Sequence, residues 1–249
     1  MNSPRDSVEI EQPQSPSSPP PVNPGVTVPT NGVNTNISTE TNGAPPPPPH
    51  QTPVKTAAEA AVEAETYKNA GNKFFKARDF DKAIKEYTKA IEADPQASTY
   101  FSNRSAAYMS ANRYHEALED CKSADERDPN NAKILHRLGR IYTSLGRPQE
   151  ALQALAHVQP PVTAKDKAPA EAMAMHIKQA EDALREGTTG SMALHALDQA
   201  ERGLGLGVDR PRKWKLMRGE AYLKMGNVNS IGDAEGVAMS LLRLNNQDP

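Results

Sequence analysis

From residue 64 onward the chain repeats one pattern of small, aromatic and apolar positions with a period of 34 residues. Three consecutive blocks carry it without a gap: Ala64 to Ala97, Ser98 to Asn131 and Ala132 to Lys165. Block position 8 holds Gly71, Ser105 and Gly139; position 11 holds Phe74, Tyr108 and Tyr142; position 20 holds Ala83, Ala117 and Ala151. Position 24 carries Tyr87, Cys121 and Leu155, position 27 carries Ala90, Ala124 and Val158, and Pro95 and Pro129 stand near the ends of the first two blocks. In block one this predicts a helix from about Ala64 to Ala77, a turn at Arg78-Asp79, and a second helix from about Phe80 to Ala93. Pro95 stops it, because its ring and missing N–H prevent continuation. Small residues at positions 8 and 20 let the two helices approach closely, and the larger residues at 11 and 24 fill the space beside them. No single hairpin buries both of its apolar faces, so the hairpins must stack into a solenoid with a concave inner surface.

Past Lys165 the register weakens. Ala172 to Gly207 reads as another helical pair, with Leu184, Ala193, Leu197 and Ala200 on an apolar stripe. Trp214 to Leu244 reads as a further one, with Gly219, Tyr222, Ala234 and Leu241. Extra residues around Gly187 to Gly190 and Asn227 to Gly232 make 166–249 a run of degenerate hairpins. The final Asp248-Pro249 resembles Asp94-Pro95 and Asp128-Pro129, after which another first helix begins, so the array reads as truncated. Residues 1–56 are the opposite case. Crowded with Pro, Ser, Thr, Asn and Gly and nearly without large apolar residues, they are expected to be disordered. Ser3-Pro4, Ser15-Pro16, Ser18-Pro19 and the run Pro45 to Pro49 are generic features of such a leader.

Charge and cysteine content narrow the function classes. A formal net charge of −2 provides no global field for nucleic acid or anionic membrane. One cysteine, Cys121, allows no internal disulfide and no multi-thiolate zinc site, and it fits the reducing cytoplasm or nucleus. No apolar run approaches a membrane span, and no signal peptide is evident, so the sequon at Asn36 is expected to be idle. His115, His136, His157, His176 and His195 have no partner three or four residues away and no accompanying cysteine, so no metal is expected. Strands, phosphate loops and a Ser, His and Asp set are all lacking. Gly203, Gly205 and Gly207 read as a flexible turn, Cys121 as a buried apolar residue, and Trp214 as a packing anchor. The chain is expected not to be an enzyme and to take no cofactor and no small-molecule substrate.

The chemistry lies on the first helix of each block, where positions 2, 5, 6 and 9 follow the spacing i, i+3, i+4, i+7 of one helical stripe. Block one offers Lys68 and Asn72, block two Asn103, and block three Lys133 and Arg137. Three cations beside two amides, with no carboxylate at those five places, form a local acceptor for a compact dianion.

The 34-residue pattern resembles the tetratricopeptide repeat (TPR), which implies an all-α helix-turn-helix solenoid. The five stripe residues resemble the dicarboxylate clamp of co-chaperones that bind Hsp70 and Hsp90. The motifs are Lys68-Asn69-Ala70-Gly71-Asn72, Ser102-Asn103-Arg104-Ser105-Ala106-Ala107-Tyr108 and Lys133-Ile134-Leu135-His136-Arg137. That resemblance implies a C-terminal Glu-Glu-Val-Asp tail of Hsp70 and/or Hsp90 as partner. The folded region also resembles the repeats of the DnaJ-family (subfamily C) TPR co-chaperone, although the His-Pro-Asp tripeptide of a J domain does not occur in these 249 residues. Two other readings stay open. One is a general scaffold with an incidental basic stripe, and the other is the targeting module of an enzyme or J-domain protein.

Overall fold

The computed structural model describes residues 56–187 and 190–245. The expected disordered leader up to residue 55, with its Ser-Pro sites and proline run, lies outside the described residues, as do parts of the Gly187 to Gly190 insertion and the terminal Asp248-Pro249. The described residues form ten helices: α1 (Ala57–Lys76), α2 (Phe80–Ala93), α3 (Ser98–Ser110), α4 (Tyr114–Arg127), α5 (Ala132–Ser144), α6 (Pro148–Ala156), α7 (Ala164–Arg185), α8 (Gly190–Glu201), α9 (Arg212–Met225) and α10 (Val228–Asn245). Each helix packs on the next in sequence, and α3 with α5, α5 with α7 and α7 with α9 also meet. Odd-numbered helices therefore lie side by side along one surface, and the fold is an all-α tetratricopeptide-repeat solenoid.

The repeat positions explain the hairpins. Ala83 and Ala117 and Ala151 at position 20 are fully buried, as are Ala90 and Ala124 at position 27, with Val158 at 2% exposure. A methyl added at Gly71 would come within 2.6 Å of the Tyr87 ring, and one at Gly139 within 2.7 Å of Leu155. Position 8 is thus the seat on which the position 24 side chain rests. Where position 24 is the smaller Cys121, position 8 can be Ser105, whose hydroxyl donates to the Ala117 carbonyl at 2.8 Å.

Position 15 turns each hairpin in the left-handed region, with φ of 61° at Arg78, 60° at Asn112 and 72° at Gly146. Only glycine takes this conformation without crowding its Cβ, and asparagine tolerates it better than arginine does. Asp79 caps α2 by accepting from the Lys82 N–H at 3.2 Å, and Asn131 caps α5 by accepting from the Lys133 N–H at 3.0 Å. Within block two, Arg104 on α3 grips Asp120 on α4 through two 2.7 Å bonds, and it ties that block to block one by donating to Thr88 on α2 at 2.9 Å.

Three expectations need correction. The helix α1 begins at Ala57, where the domain 57–165 is expected to start, and not at about Ala64, because Thr56 and Glu59 form a capping box. The fourth pair begins at Ala164 rather than near Ala172, because Thr163 and Asp166 form a second capping box and Pro169 is accommodated inside the helix. The glycine turn is not a loose tether. The Gly205 N–H donates to the Ser144 carbonyl at 2.8 Å, and a methyl on Gly205 would lie 2.4 Å from the Tyr114 ring. Gly205 thus serves close approach to α4 and α5, whereas Gly203 lies against Met173 of α7 and Gly207 turns the chain at φ of 78°. Trp214, 2% exposed, is buried with Met173, Ile177 and Leu197 in the core shared by α7, α8 and α9, where a packing anchor belongs.

Candidate peptide-binding groove

Four of the five stripe residues meet at one open cavity of about 360 Å³: Asn72 from α1, Asn103 from α3, and Lys133 and Arg137 from α5. The stacking that buries positions 20 and 27 brings the three odd helices side by side, so equal stripe positions face a common space. No carboxylate lines this cavity.

Arg137 is half-buried. Its Nη1 donates to both the carbonyl and the hydroxyl of Ser102 on α3. These acceptors are neutral, and burial pushes the guanidinium pKa down from its ordinary value, with the neighbouring Arg140 charge acting in the same direction. An arginine remains protonated under such a shift. The groove floor therefore carries a positive charge with no carboxylate to balance it among the described residues.

Asn72 is held in one orientation. The Tyr87 hydroxyl donates to Asn72 Oδ1 at 2.8 Å, which leaves the amide NH2 as the group offered to the cavity. Burial raises the Tyr87 pKa, opposed by the Arg137 charge, so the phenol stays protonated and remains a donor. Asn103 is half-buried and Lys133 exposed at the cavity edge. Phe75 and Met109 supply apolar wall.

Lys68 stands apart from this group. It does not line the cavity, and its ammonium is paired with Glu65 one turn before it. Glu65 also accepts from the Tyr100 hydroxyl at 3.0 Å. The Lys68 hydrogen bond, then the Tyr100 one, holds the Glu65 carboxyl below its usual pKa. Glu65 occupies position 2 of the same stripe, so its spacing from Lys68 foretold the pairing.

Arg140 is a cavity residue that the sequence reading passed over. It stands at position 9 of block three, the place Asn72 holds in block one, so the stripe itself contained the signal. The role of Tyr87 had no such signal, since position 24 reads as packing. His136 points elsewhere: it lines a second cavity with Lys165 and Pro169, between α5 and α7. Cys121 is fully buried, and burial pushes its thiol up to about 11. No cluster of metal-ligating side chains occurs among the described residues, and no helix among them is long and apolar enough to cross a membrane.

Residues 68–132 and 108–175 each match a family model described as Tetratricopeptide repeat. The segment 68–175 therefore consists of such repeats. Human serine/threonine-protein phosphatase 5 is 44% identical over 62 residues, 25% of this chain and 12% of that protein. Human DnaJ homolog subfamily C member 7 is 43% identical over 51 residues, 20% of this chain and 10% of that protein. The chain spans about a tenth of the length of these relatives, so the matches reach no further than short repeat segments. The crystal structure of the P58(IPK) TPR domain superposes with a TM-score of 0.56 at 20% identity, covering 72% of this chain and 50% of that one. That coverage exceeds the length of the three regular blocks, so the likeness in fold takes in part of the degenerate hairpins.

Proposed function

We propose that this chain is a co-chaperone adaptor that grips the C-terminal Glu-Glu-Val-Asp tail of cytosolic Hsp70 and/or Hsp90 in the groove lined by α1, α3 and α5. The observation that carries the reading is a carboxylate-free cationic cavity: Asn72, Asn103, Lys133 and Arg137 converge on it and no carboxylate among the described residues does. A peptide terminus bearing two carboxylates complements that set. Lys133 supplies a point charge, Arg137 a planar fork, and the two asparagines oriented neutral donors. Lys68 is the mobile member, a long side chain able to exchange Glu65 for the ligand. Charge-assisted bonds of roughly 1.5–3 kcal/mol each, offset by the ordering of a floppy tail, give an affinity near micromolar, about 8 kcal/mol.

The expected compartment is the cytoplasm or nucleus. The test is calorimetric titration of an acetylated peptide ending in Glu-Glu-Val-Asp against the full chain. The Lys133→Ala variant and a C-terminally amidated peptide serve as controls. Binding that survives either control undiminished refutes the clamp, and parallel Hsp70-type and Hsp90-type tails report the preference.

A further inference from the structure

The groove does not end at the clamp. A second open cavity of about 390 Å³ lies between α5 and α7, and Arg140 lines both. Residues of α5 thus face two adjoining spaces, with Lys133 and Arg137 toward the first and His136 and Thr143 toward the second. The far wall of the second comes from the start of α7, with Lys165, Asp166 and Pro169, and its floor includes Leu155.

The charge of this second cavity is uneven. Arg140 and Lys165 are exposed cations and His136 a half-buried imidazole. The one opposing carboxylate, Asp166, has its Oδ2 occupied as acceptor from the Thr163 hydroxyl at 2.6 Å and from its N–H at 3.2 Å. Neither Arg140 nor Lys165 is paired with a carboxylate among the described residues. Asp166 keeps its negative charge and is felt by His136 and Lys165, but the two exposed cations Arg140 and Lys165 outnumber it, and that excess across an open space between facing helices suits one anionic side chain.

We infer that the cavity between α5 and α7 is a second anionic subsite, in which Arg140 and Lys165 hold an acidic side chain that lies upstream of the Glu-Glu-Val-Asp end bound in the first cavity. The inference rests on the clamp reading and extends it: the ligand class becomes tails with a further acidic residue ahead of Glu-Glu-Val-Asp. It also gives the start of the weak repeats a recognition role. The direction of the bound peptide follows, with its C-terminus toward α1 and its upstream end toward α7.

The experiment compares two probes by fluorescence anisotropy, acetyl-Ser-Ser-Ser-Ser-Glu-Glu-Val-Asp and acetyl-Glu-Ser-Glu-Ser-Glu-Glu-Val-Asp, on the full chain. The acidic extension should tighten binding about five- to tenfold. Lys165→Ala should remove most of that gain while leaving the serine probe unchanged. Lys167→Ala, which removes the same charge from a residue of α7 outside the cavity lining, should retain it. A gain lost equally in both variants indicates only the general field of the chain and overturns the subsite, as does an extension that adds nothing while the serine probe still binds. Failure of the serine probe itself would instead refute the clamp, and the subsite with it.

Discussion

Removing one hydroxyl outside the set of charged residues should weaken tail binding. The perturbation is Tyr87→Phe. The ring stays seated on Gly71, but the 2.8 Å bond that fixes Asn72 Oδ1 is lost. An unfixed amide has two orientations half a turn apart, one offering NH2 to the groove and the other an oxygen that repels a carboxylate. If the two are equal in energy, selecting the donor costs RT ln 2, about 0.4 kcal/mol; if the whole side chain is released, immobilising it costs about 0.5–1.5 kcal/mol. Affinity for a Glu-Glu-Val-Asp peptide should therefore fall roughly two- to tenfold. Stability should drop by about 1 kcal/mol, the usual worth of such a bond. The assay is calorimetric titration of the wild type, Tyr87→Phe, Asn72→Ala and the double variant, with thermal unfolding in parallel. In the Asn72→Ala background the tyrosine substitution should cost no further affinity, since no amide remains to be oriented. Unchanged affinity in Tyr87→Phe, or an equal loss in both backgrounds, would refute the orientation argument.

Glu65→Gln should tighten binding about two- to fivefold, because it frees the Lys68 ammonium and removes a negative charge beside the anionic ligand; the peptide titration checks it. The sign agrees with the lowered Glu65 pKa: the carboxylate is ionised and paired at neutral pH, and the pair is lost only as pH falls through that lowered value. Arg78→Asn should raise stability by about 0.5–1 kcal/mol, or a Tm rise of about 1–4 °C by calorimetry, since φ is 61° there and the next two blocks use asparagine and glycine. The Cys121 thiol, with its pKa pushed up to about 11, should react with an aromatic disulfide reagent at pH 8 at least about a hundredfold more slowly in the native protein than in urea, from the smaller thiolate fraction alone. A native rate close to the unfolded one would show that the hairpin opens readily.

The solenoid was legible because every block must solve the same packing problem. The contact between positions 8 and 24 recurs as Gly71 with Tyr87, Ser105 with Cys121 and Gly139 with Leu155, a trade of volume that leaves a fixed period in the sequence. The groove was legible for the same reason, since equal stripe positions on stacked helices face one space. What escaped lies outside the 34-residue period, some of it in local spacing and some in contacts between distant positions. Lys68 is diverted by Glu65 on its own helix. Tyr87 both packs and orients Asn72. The start of α7 is set by Thr163 with Asp166 despite Pro169, and Gly205 after α8 lets the chain lie against Tyr114 and Ser144.

A chain of net charge −2 can hold an anion site only by distributing its pairs unevenly, and that is what these residues do. Away from the groove the cations are largely neutralised: Arg104 by Asp120, Arg113 by Glu116, Arg147 by Glu150 and Lys89 by Glu86. On α5, Lys133, Arg137 and Arg140 have no carboxylate partner among the described residues. The field at the groove is thus made by the placement of acids elsewhere, and it is local. Its range should follow the screening length, which shortens from about 10 Å at 0.1 M salt to about 3 Å at 1 M. Peptide affinity should accordingly weaken about tenfold between those salt concentrations, with Lys133→Ala showing a shallower slope than the wild type. A scaffold that bound its partner through apolar contacts beside an incidental basic stripe would change less than about twofold over the same range, because burial of apolar surface does not depend on those charges. A flat salt profile would therefore assign the groove to that other class of ligand even if a chaperone tail were found to bind.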